Sequence, residues 1–359
     1  MRIAIVLGTR PEIIKLSPII RELEKQHIDF FILHTGQHYS YNMDKVFFKQ
    51  LQLPEPKHNL DVGSGPHGKQ TGQMLIGIEE ILQQENPDII LVEGDTNTVL
   101  AGALAATKLG VKVGHVEAGL RSYGRQMPEE INRTLTDHCS DYLFAPTEKS
   151  TKTLLQEGID KKRIFTVGNT IVDAVIQNLK ITQTKSKIIE TLNIKAENYM
   201  LATSHRQENV DDKIRFKGII KGLQQVQKHF NMPIIYPIHP RAKKQLKTFD
   251  MDTKSLTLTA PLDYLEFLNL ESKAKLVLTD SGGVQEETCI LGVPCITLRD
   301  NTERPETIDV GANKLAGTNP NKILNAAKTT LSSKNKWKNP FGDGKTSQRI
   351  IDILKNKLN

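Results

Sequence analysis

The sequence predicts an α/β protein built from two Rossmann-like, doubly wound parallel-sheet domains facing a central cleft. Three observations carry that expectation. Short apolar runs of strand length alternate with segments of helical periodicity, and most of these runs end in turns rich in Gly, Asp or Asn. A polar, Lys-rich stretch at 180–198 interrupts the alternation half-way, as a linker or domain boundary does. The 359 residues are enough for two ordinary domains, each with its own core.

The first run, 3–7, is a buried-strand pattern, and Gly8-Thr9-Arg10-Pro11 turns it into a helix over 12–25 with apolar Ile13, Ile14, Leu16, Ile19, Ile20 and Leu23 on one face. A second strand follows at 29–34. The same alternation continues through strand 89–93, helix 97–109, and strands 112–117 and 142–145, and a further short strand within 163–172 ends at Gly168-Asn169. Strands separated by helices of that length pair in parallel through right-handed crossovers. An N-terminal domain is therefore expected over 1–170. Alternation resumes with strand 199–203, helix 215–230 and strands at 233–237, 256–259, 275–279 and 294–298, which gives a second domain over 171–342. Residues 343–359 close the chain as an amphipathic helix (Ile350, Ile351, Ile353, Leu354, Leu358) expected to pack back on the N-terminal domain. In open sheets of this kind ligands bind outside the carboxyl ends of the strands.

The composition, 38% apolar and 25% charged, is that of a soluble globular protein. A formal charge of +7 suits an anionic ligand, but Lys and Arg are spread along the chain and no groove-reading motif is present, which argues against nucleic acid. The three cysteines, Cys139, Cys289 and Cys295, support neither a disulfide framework nor a zinc site, and a reducing cytoplasm is the expected home. The start, MRIAIVLGTRPE, is a short strand running into a glycine turn rather than a signal peptide, and no stretch approaches the ~18 apolar residues of a membrane span.

The stretch 275–297, KLVLTDSGGVQEETCILGVPCIT, reads as strand, glycine hinge, helix, turn and strand. Ser281-Gly282-Gly283 aims unpaired amides and a positive helix end at one point, where a phosphate or diphosphate fits; the same residues also make a plain turn. Arg10 and Lys15, at the start of the first helix, oppose its dipole and suggest an anion held between them. GSGPHGKQ at 63–70 nearly spells a P-loop, but Gln70 stands where Ser or Thr holds magnesium, so it reads as a mobile loop in which His67 and Lys69 are the candidate ligand contacts. Asp95 and Glu117 leave neighbouring strands at the edge that carries Arg10, with Pro128-Glu129-Glu130 close behind. Crowded carboxylates raise one another's proton affinity, as acid and base work near neutral pH requires; the bland alternative makes Arg121 and Arg125 their counter-charges. His205 and Arg206 follow the first strand of the second domain and His239 the next. Asp300, Glu303, Arg304 and Glu306 form a polar cluster that reads either as a grip on a ribose or sugar or as an exposed charged loop.

Taken in order, GTRPE, GDTNT, HVEAGLRS, PEEINR, SHRQEN, DSGGVQEE and RDNTERPE resemble the non-hydrolysing UDP-N-acetylglucosamine 2-epimerases from Gly8 to Glu306. The resemblance implies the B-type glycosyltransferase architecture, with UDP held mainly by the C-terminal domain and the sugar by the N-terminal one. It also implies a cytoplasmic homodimer, working without cofactor or metal and away from membranes, that interconverts UDP-N-acetylglucosamine and UDP-N-acetylmannosamine for cell-surface polysaccharide synthesis. Arg10, Lys15, Asp95, Glu117, Glu129 and His205 match the family's catalytic positions, and Phe267, Ser281, Gly282, Gly283, Glu287 and Arg304 its UDP-binding ones. Leu262 replaces a Gln that bacterial relatives carry near the uracil. Of a second, regulatory UDP-sugar site, Gln37-His38 is kept while Lys69-Gln70 replaces an Arg-Gln pair.

The chemistry is arguable independently. The C2 proton of such a sugar has no neighbouring carbonyl, and no dinucleotide fingerprint follows the first strand, which leaves elimination of UDP to a 2-acetamidoglucal and re-addition. His205 and Arg10 would then stabilise charge on the departing diphosphate. A hydrolysing epimerase, a glycosyltransferase of the same fold and a non-catalytic nucleotide-sugar sensor stand as alternatives.

Overall fold

A computed structural model describes residues 1–37, 41–333 and 336–358, without the side chains of 41–43. It resolves into two compact units, Met1–Gln177 with the C-terminal segment from Phe341, and Asn178–Pro340.

The first unit runs β1 (Arg2–Leu7), α1 (Arg10–Lys25), β2 (Asp29–His34), α2 (Tyr41–Gln50), β3 (His58–Asn59), α3 (His67–Glu85), β4 (Ile89–Glu93), α4 (Asn97–Leu109), β5 (Lys112–Val116), α5 (Pro128–Cys139), β6 (Tyr142–Ala145), α6 (Glu148–Gln156), β7 (Ile164–Thr166) and α7 (Thr170–Lys185). Its seven strands are all parallel, in the order β3-β2-β1-β4-β5-β6-β7. The central strands are buried on both faces, which is why they read as continuous apolar runs rather than alternating ones. Ala4, Val6, Leu33, Ile90 and Val92 pack with Met74, Ile78 and Val99 of α3 and α4 on one side. By strand alternation Ile3, Ile5, Leu7, Ile89, Leu91 and Glu93 face the other, the side of α1.

The second unit holds α8 (Ile188–Thr191), β8 (Met200–Thr203), α9 (Gln207–Val210), α10 (Lys213–Phe230), β9 (Ile234–Pro237), α11 (Pro240–Thr248), β10 (Thr257–Thr259), α12 (Tyr264–Ser272), β11 (Val277–Thr279), α13 (Gly282–Leu291), β12 (Cys295–Thr297), α14 (Pro305–Asp309), β13 (Asn313–Leu315) and α15 (Pro320–Ser332). Six parallel strands run β10-β9-β8-β11-β12-β13, repeating the plan of the first sheet. The two parallel α/β sheets predicted from the alternation are therefore present.

Two sequence readings are corrected. The segment 63–70 is not a free loop throughout, because α3 begins at His67; Gln70, in its first turn, is buried and donates to the carbonyls of Gln37 and Gly63. The Lys-rich stretch 180–198 is not a linker throughout, since α7 continues to Lys185 and Ile188 of α8 joins the buried cluster of Tyr199 and Leu270. Lysines on the solvated face of a helix have the composition of a linker. The boundary expected at 170/171 falls at the first residue of α7, and the two compact units divide seven residues later.

The last helix, α16 (Thr346–Leu358), belongs to the first unit and packs on α1. Asp173 of α7 anchors its start, accepting from the Ser347 amide (2.9 Å), the Ser347 hydroxyl (2.7 Å) and the Thr346 amide (3.2 Å), all buried. Asp173→Ala leaves those donors without an acceptor, and the variant is expected to lose about 2–4 kcal/mol of stability. The check is chemical denaturation together with amide exchange in α16. Unchanged protection of that helix would refute the anchoring role.

Candidate active site

Each sheet reverses its strand order once, between β1 and β4 in the first and between β8 and β11 in the second. Loops leaving neighbouring strands in opposite directions open a crevice there. At the β1/β4 point Gly8 is required by close approach: a Cβ would collide with the Thr35 and Thr98 hydroxyls. Thr9 and Glu12 then form a capping box, and the Glu12 carboxylate takes the amides of Gly8 (2.6 Å) and Thr9 (2.9 Å) and the Thr96 hydroxyl. Burial lifts the Glu12 carboxyl to about 7, against the pull of those donors.

Lys15, one turn on, reaches Glu117 Oε2 at 2.5 Å and Glu93 Oε1 at 3.2 Å. Asn169 Nδ2 donates to the same Glu117 oxygen at 3.0 Å. Glu117 holds φ +70°, a left-handed conformation rare outside glycine and often found where a side chain is aimed for function. Asp95, at the end of β4, is half-exposed and paired with Arg133 of α5, while its carbonyl accepts from Asn132 (2.9 Å). Glu129 opens α5 exposed to solvent. Its neighbour Glu130 is buried and structural: it receives the Ser122 amide and hydroxyl and the Tyr123 amide, each at 2.9 Å, and so folds the loop ahead of the helix. Arg10, at the start of α1, pairs with Asp44 (3.4 Å) and lies over the Phe47 ring.

The counter-charges differ from the bland alternative. Arg121 is bound to Asp137 (2.7 Å) and Glu157 (2.6 Å), and Arg125 is exposed, so the partners of the cluster are Lys15 and Arg133. Burial raises the carboxyls of Glu93 and Glu12, neither of which the sequence nominated.

In the second unit the same construction serves a different charge. Ser281 caps α13, and the amides of Gly282, Gly283 and Val284 find no acceptor among the described residues. Among the described residues nothing requires glycine there. Neither residue has a positive φ, and a Cβ would meet only Glu303 Oε2 at 3.7 Å or Ser281 Oγ at 4.0 Å. Gly-Gly, at a cost in helix propensity, leaves this backbone open to close approach.

Buried Asp280 ties this turn to the loop after β8, accepting from Ser204 Oγ (2.7 Å), the amides of His205 and Arg206 (3.1 Å each) and Asn209 (3.1 Å). His205 is 41% exposed, with Nδ1 3.4 Å from Asp280 and its ring 6.0 Å from that of His239. Partial burial, with the charges of His205 and Arg241, lowers the His239 imidazole's proton affinity. Glu287 is buried against Glu271 and the Tyr264 hydroxyl; burial and then Glu287 push the Glu271 carboxyl well above its ordinary range. Phe267 and Leu262 pack as a partly buried apolar wall on the cluster of Leu270 and Val284.

The charged run after β12 is braced on its own chain. Asp300 pairs with Arg215 (2.9 Å), Glu303 with Arg299 (2.8 Å) and Arg304 with Glu286 (2.7 Å). Gln37, from the pair noted for a second site, gives its side-chain oxygen to the Thr98 amide (3.0 Å) and hydroxyl (2.8 Å), and His38 lies outside the described residues. Among the described residues no group of three or more His, Cys, Asp or Glu is placed to hold a metal ion, and no helix is long and apolar enough to cross a membrane.

Two outcomes follow for this half. Gly283→Ala is expected to raise stability by about 0.5–1 kcal/mol, because its Cβ meets only Ser281 Oγ at 4.0 Å, while weakening the binding of an anionic guest at the turn. Thermal melts and titration calorimetry with UDP as the probe test both, and a variant affinity equal to the parent's would make the glycine an ordinary turn residue. Burial alone would raise Glu303, but the Arg299 hydrogen bonds and charge, with Arg206, hold it at about 2 instead of 4.5. That pairing stabilises the fold above pH 4.5 and its contribution is lost as pH falls toward 2. Glu303→Gln should therefore be less stable than the parent at neutral pH, the gap closing in acid. A gap constant with pH would contradict the pairing.

The family described as UDP-N-acetylglucosamine 2-epimerase matches residues 21–355. The UDP-N-acetylglucosamine 2-epimerase of Methanocaldococcus jannaschii is 58% identical over 361 residues, covering 99% of each chain. A crystal structure of that organism's enzyme in complex with UDP-GlcNAc and UDP superposes with a TM-score of 0.89 at 58% identity, over 99% of this chain and 100% of that one. The UDP-2,3-diacetamido-2,3-dideoxy-D-glucuronate 2-epimerase of Pseudomonas aeruginosa is 40% identical over 358 residues, again covering 99% of each. With a fold of two parallel α/β sheets matching that of solved relatives, the chain belongs to the UDP-N-acetylglucosamine 2-epimerase family.

Proposed function

We propose that this protein interconverts UDP-N-acetylglucosamine and UDP-N-acetylmannosamine without hydrolysis, by eliminating UDP and adding it back. The observation that carries the reading is the division of chemistry between the two switch points: carboxylates with an ammonium at one, bare amides on a glycine turn at the other. The relatives support the substrate class. Asp95, Glu117 and Glu129 are the proton-transfer groups. One removes the C2 proton as the C1–O bond breaks, its electron pair leaving with UDP and a C1–C2 double bond forming. The proton then returns to the opposite face while the diphosphate oxygen re-attacks C1.

Lys15, bound to Glu117, orients that carboxylate. His205 and Arg10 offset charge on the departing diphosphate, which Ser281 and the amides of Gly282 and Gly283 hold both as ester and as free anion. Phe267, Glu287 and Arg304 complete the UDP-binding set. UDP must be held after it detaches, which is why a cradle for the leaving group belongs to an epimerase of this type and a hydrolase needs it less.

Incubation with UDP-N-acetylglucosamine in deuterated water, followed by nuclear magnetic resonance, tests the reading. The expected outcome is deuterium at C2 in both epimers, with UDP-N-acetylmannosamine formed and no free sugar. Accumulating N-acetylmannosamine and UDP would establish the hydrolysing reaction, and unlabelled product would exclude elimination. Faster turnover of the diacetamido-glucuronate analogue would move the substrate to that of the 40% identical relative.

A further inference from the structure

Glu93 ends β4 at the switch point of the first sheet, and none of the roles above uses it. Its side chain is 2% exposed and lies on the α1 face. The groups facing it are Lys15 and Glu12 from α1 and Glu117 from the end of β5. β1 and α4 also pack here, but their charged residues, Arg2 and Lys108, lie at the opposite end of the sheet. His115 of β5 points to the other face, toward Asp137.

We infer that Glu93 is the protonated member of a buried carboxyl, ammonium and carboxylate trio, and the positioning residue that leaves Lys15 to Glu117 and keeps Glu117 ionised. Three carboxyls and one ammonium in a dry pocket cannot all be charged without a large uncompensated excess. The donors decide where a proton goes. Glu12 receives three, the amides of Gly8 and Thr9 and the Thr96 hydroxyl. Glu117 receives Lys15 at 2.5 Å and Asn169 at 3.0 Å, whereas Glu93 has Lys15 at the longer distance of 3.2 Å. Glu93, as buried as Glu12 and deeper than Glu117, is thus the least compensated anion of the three. Burial first, and then Glu117 and Glu12, favour its neutral form over the opposing pull of Lys15.

The consequence rests on the epimerisation proposed above. With Glu93 neutral, its carbonyl oxygen lies beside the Lys15 ammonium, 3.2 Å away, without competing as an anion, and Glu117 remains a charged base. When rising pH ionises Glu93, Lys15 is shared between two anions and Glu117 gains a like charge beside it, so turnover falls. Glu93 then sets the alkaline limb of the rate profile.

The test uses the intact protein and two substitutions. Glu93→Gln keeps the acceptor and removes the titration. It should shift the alkaline limb of kcat upward by about one pH unit or more. Glu93→Leu removes the acceptor as well and should lower kcat by about tenfold with KM changing less than about threefold, and Gln should restore most of that loss. Independently of any turnover, the infrared difference between wild type and Glu93→Gln at neutral pH should contain one carboxylic C=O stretch. Alkaline limbs that coincide in wild type and Glu93→Gln, or a difference spectrum showing a carboxylate band instead, would overturn the inference. A wild type inactive on UDP-sugars would refute the functional reading and leave the infrared spectrum to decide on Glu93.

Discussion

Parallel pairing is the constraint on which the other features depend. A parallel strand must be reached by a crossover, so in each unit every strand ends on the same edge, where open sheets of this kind bind ligands. The strand order reverses once per sheet, and the loops on either side of the reversal carry most of the candidate residues: Gly8 to Lys15 and Glu93 to Thr96 in the first unit, Ser204 to Asn209 and Asp280 to Gly283 in the second. The units share this geometry and differ in the charge they present there. One surrounds an ammonium with carboxylates; the other offers amides at the mouth of a helix.

In each unit a buried or partly buried ion ties the loops at the switch point together. Lys15 joins α1 to the ends of β4 and β5, and Asp280 joins the end of β11 to the loop after β8. Removing one partner of such a pair strands the other in a dry environment, which specifies geometry more sharply than a methyl contact can. The left-handed backbone at Glu117 fits the same pattern, as does the use of glycine at 282 and 283 where the fold itself makes no demand for it.

Much of the fold was legible in the sequence because a buried parallel strand is an apolar run and an amphipathic crossover helix repeats every three to four residues. The weak points were the elements lacking those signatures: edge strands β3 and β13 of two and three residues, and α7, whose lysines resemble a linker. The nominated residues Arg10, Lys15, Asp95, His205 and Ser281 to Gly283 stand at the switch points of their own sheets, and Glu117, after β5, reaches the first of these through Lys15. Glu129, by contrast, opens α5 in solvent, and the charged run 300–306 is engaged with its own chain.

Local order in the chain thus determined which segments are strands and helices, that the sheets are parallel, and which motifs end strands. Only the tertiary structure decided which charges meet. Lys15 and Glu117 are 102 residues apart, Ser204 and Asp280 are 76, and a carboxyl's partners cannot be read from its neighbours in sequence. Glu93 shows the difference most clearly. In the sequence it is the last residue of an apolar run; in the fold it is a carboxyl cut off from water, facing one ammonium already engaged by another. The reason is physical: desolvation and pairing depend on what surrounds a group in three dimensions, while periodicity depends only on what precedes and follows it.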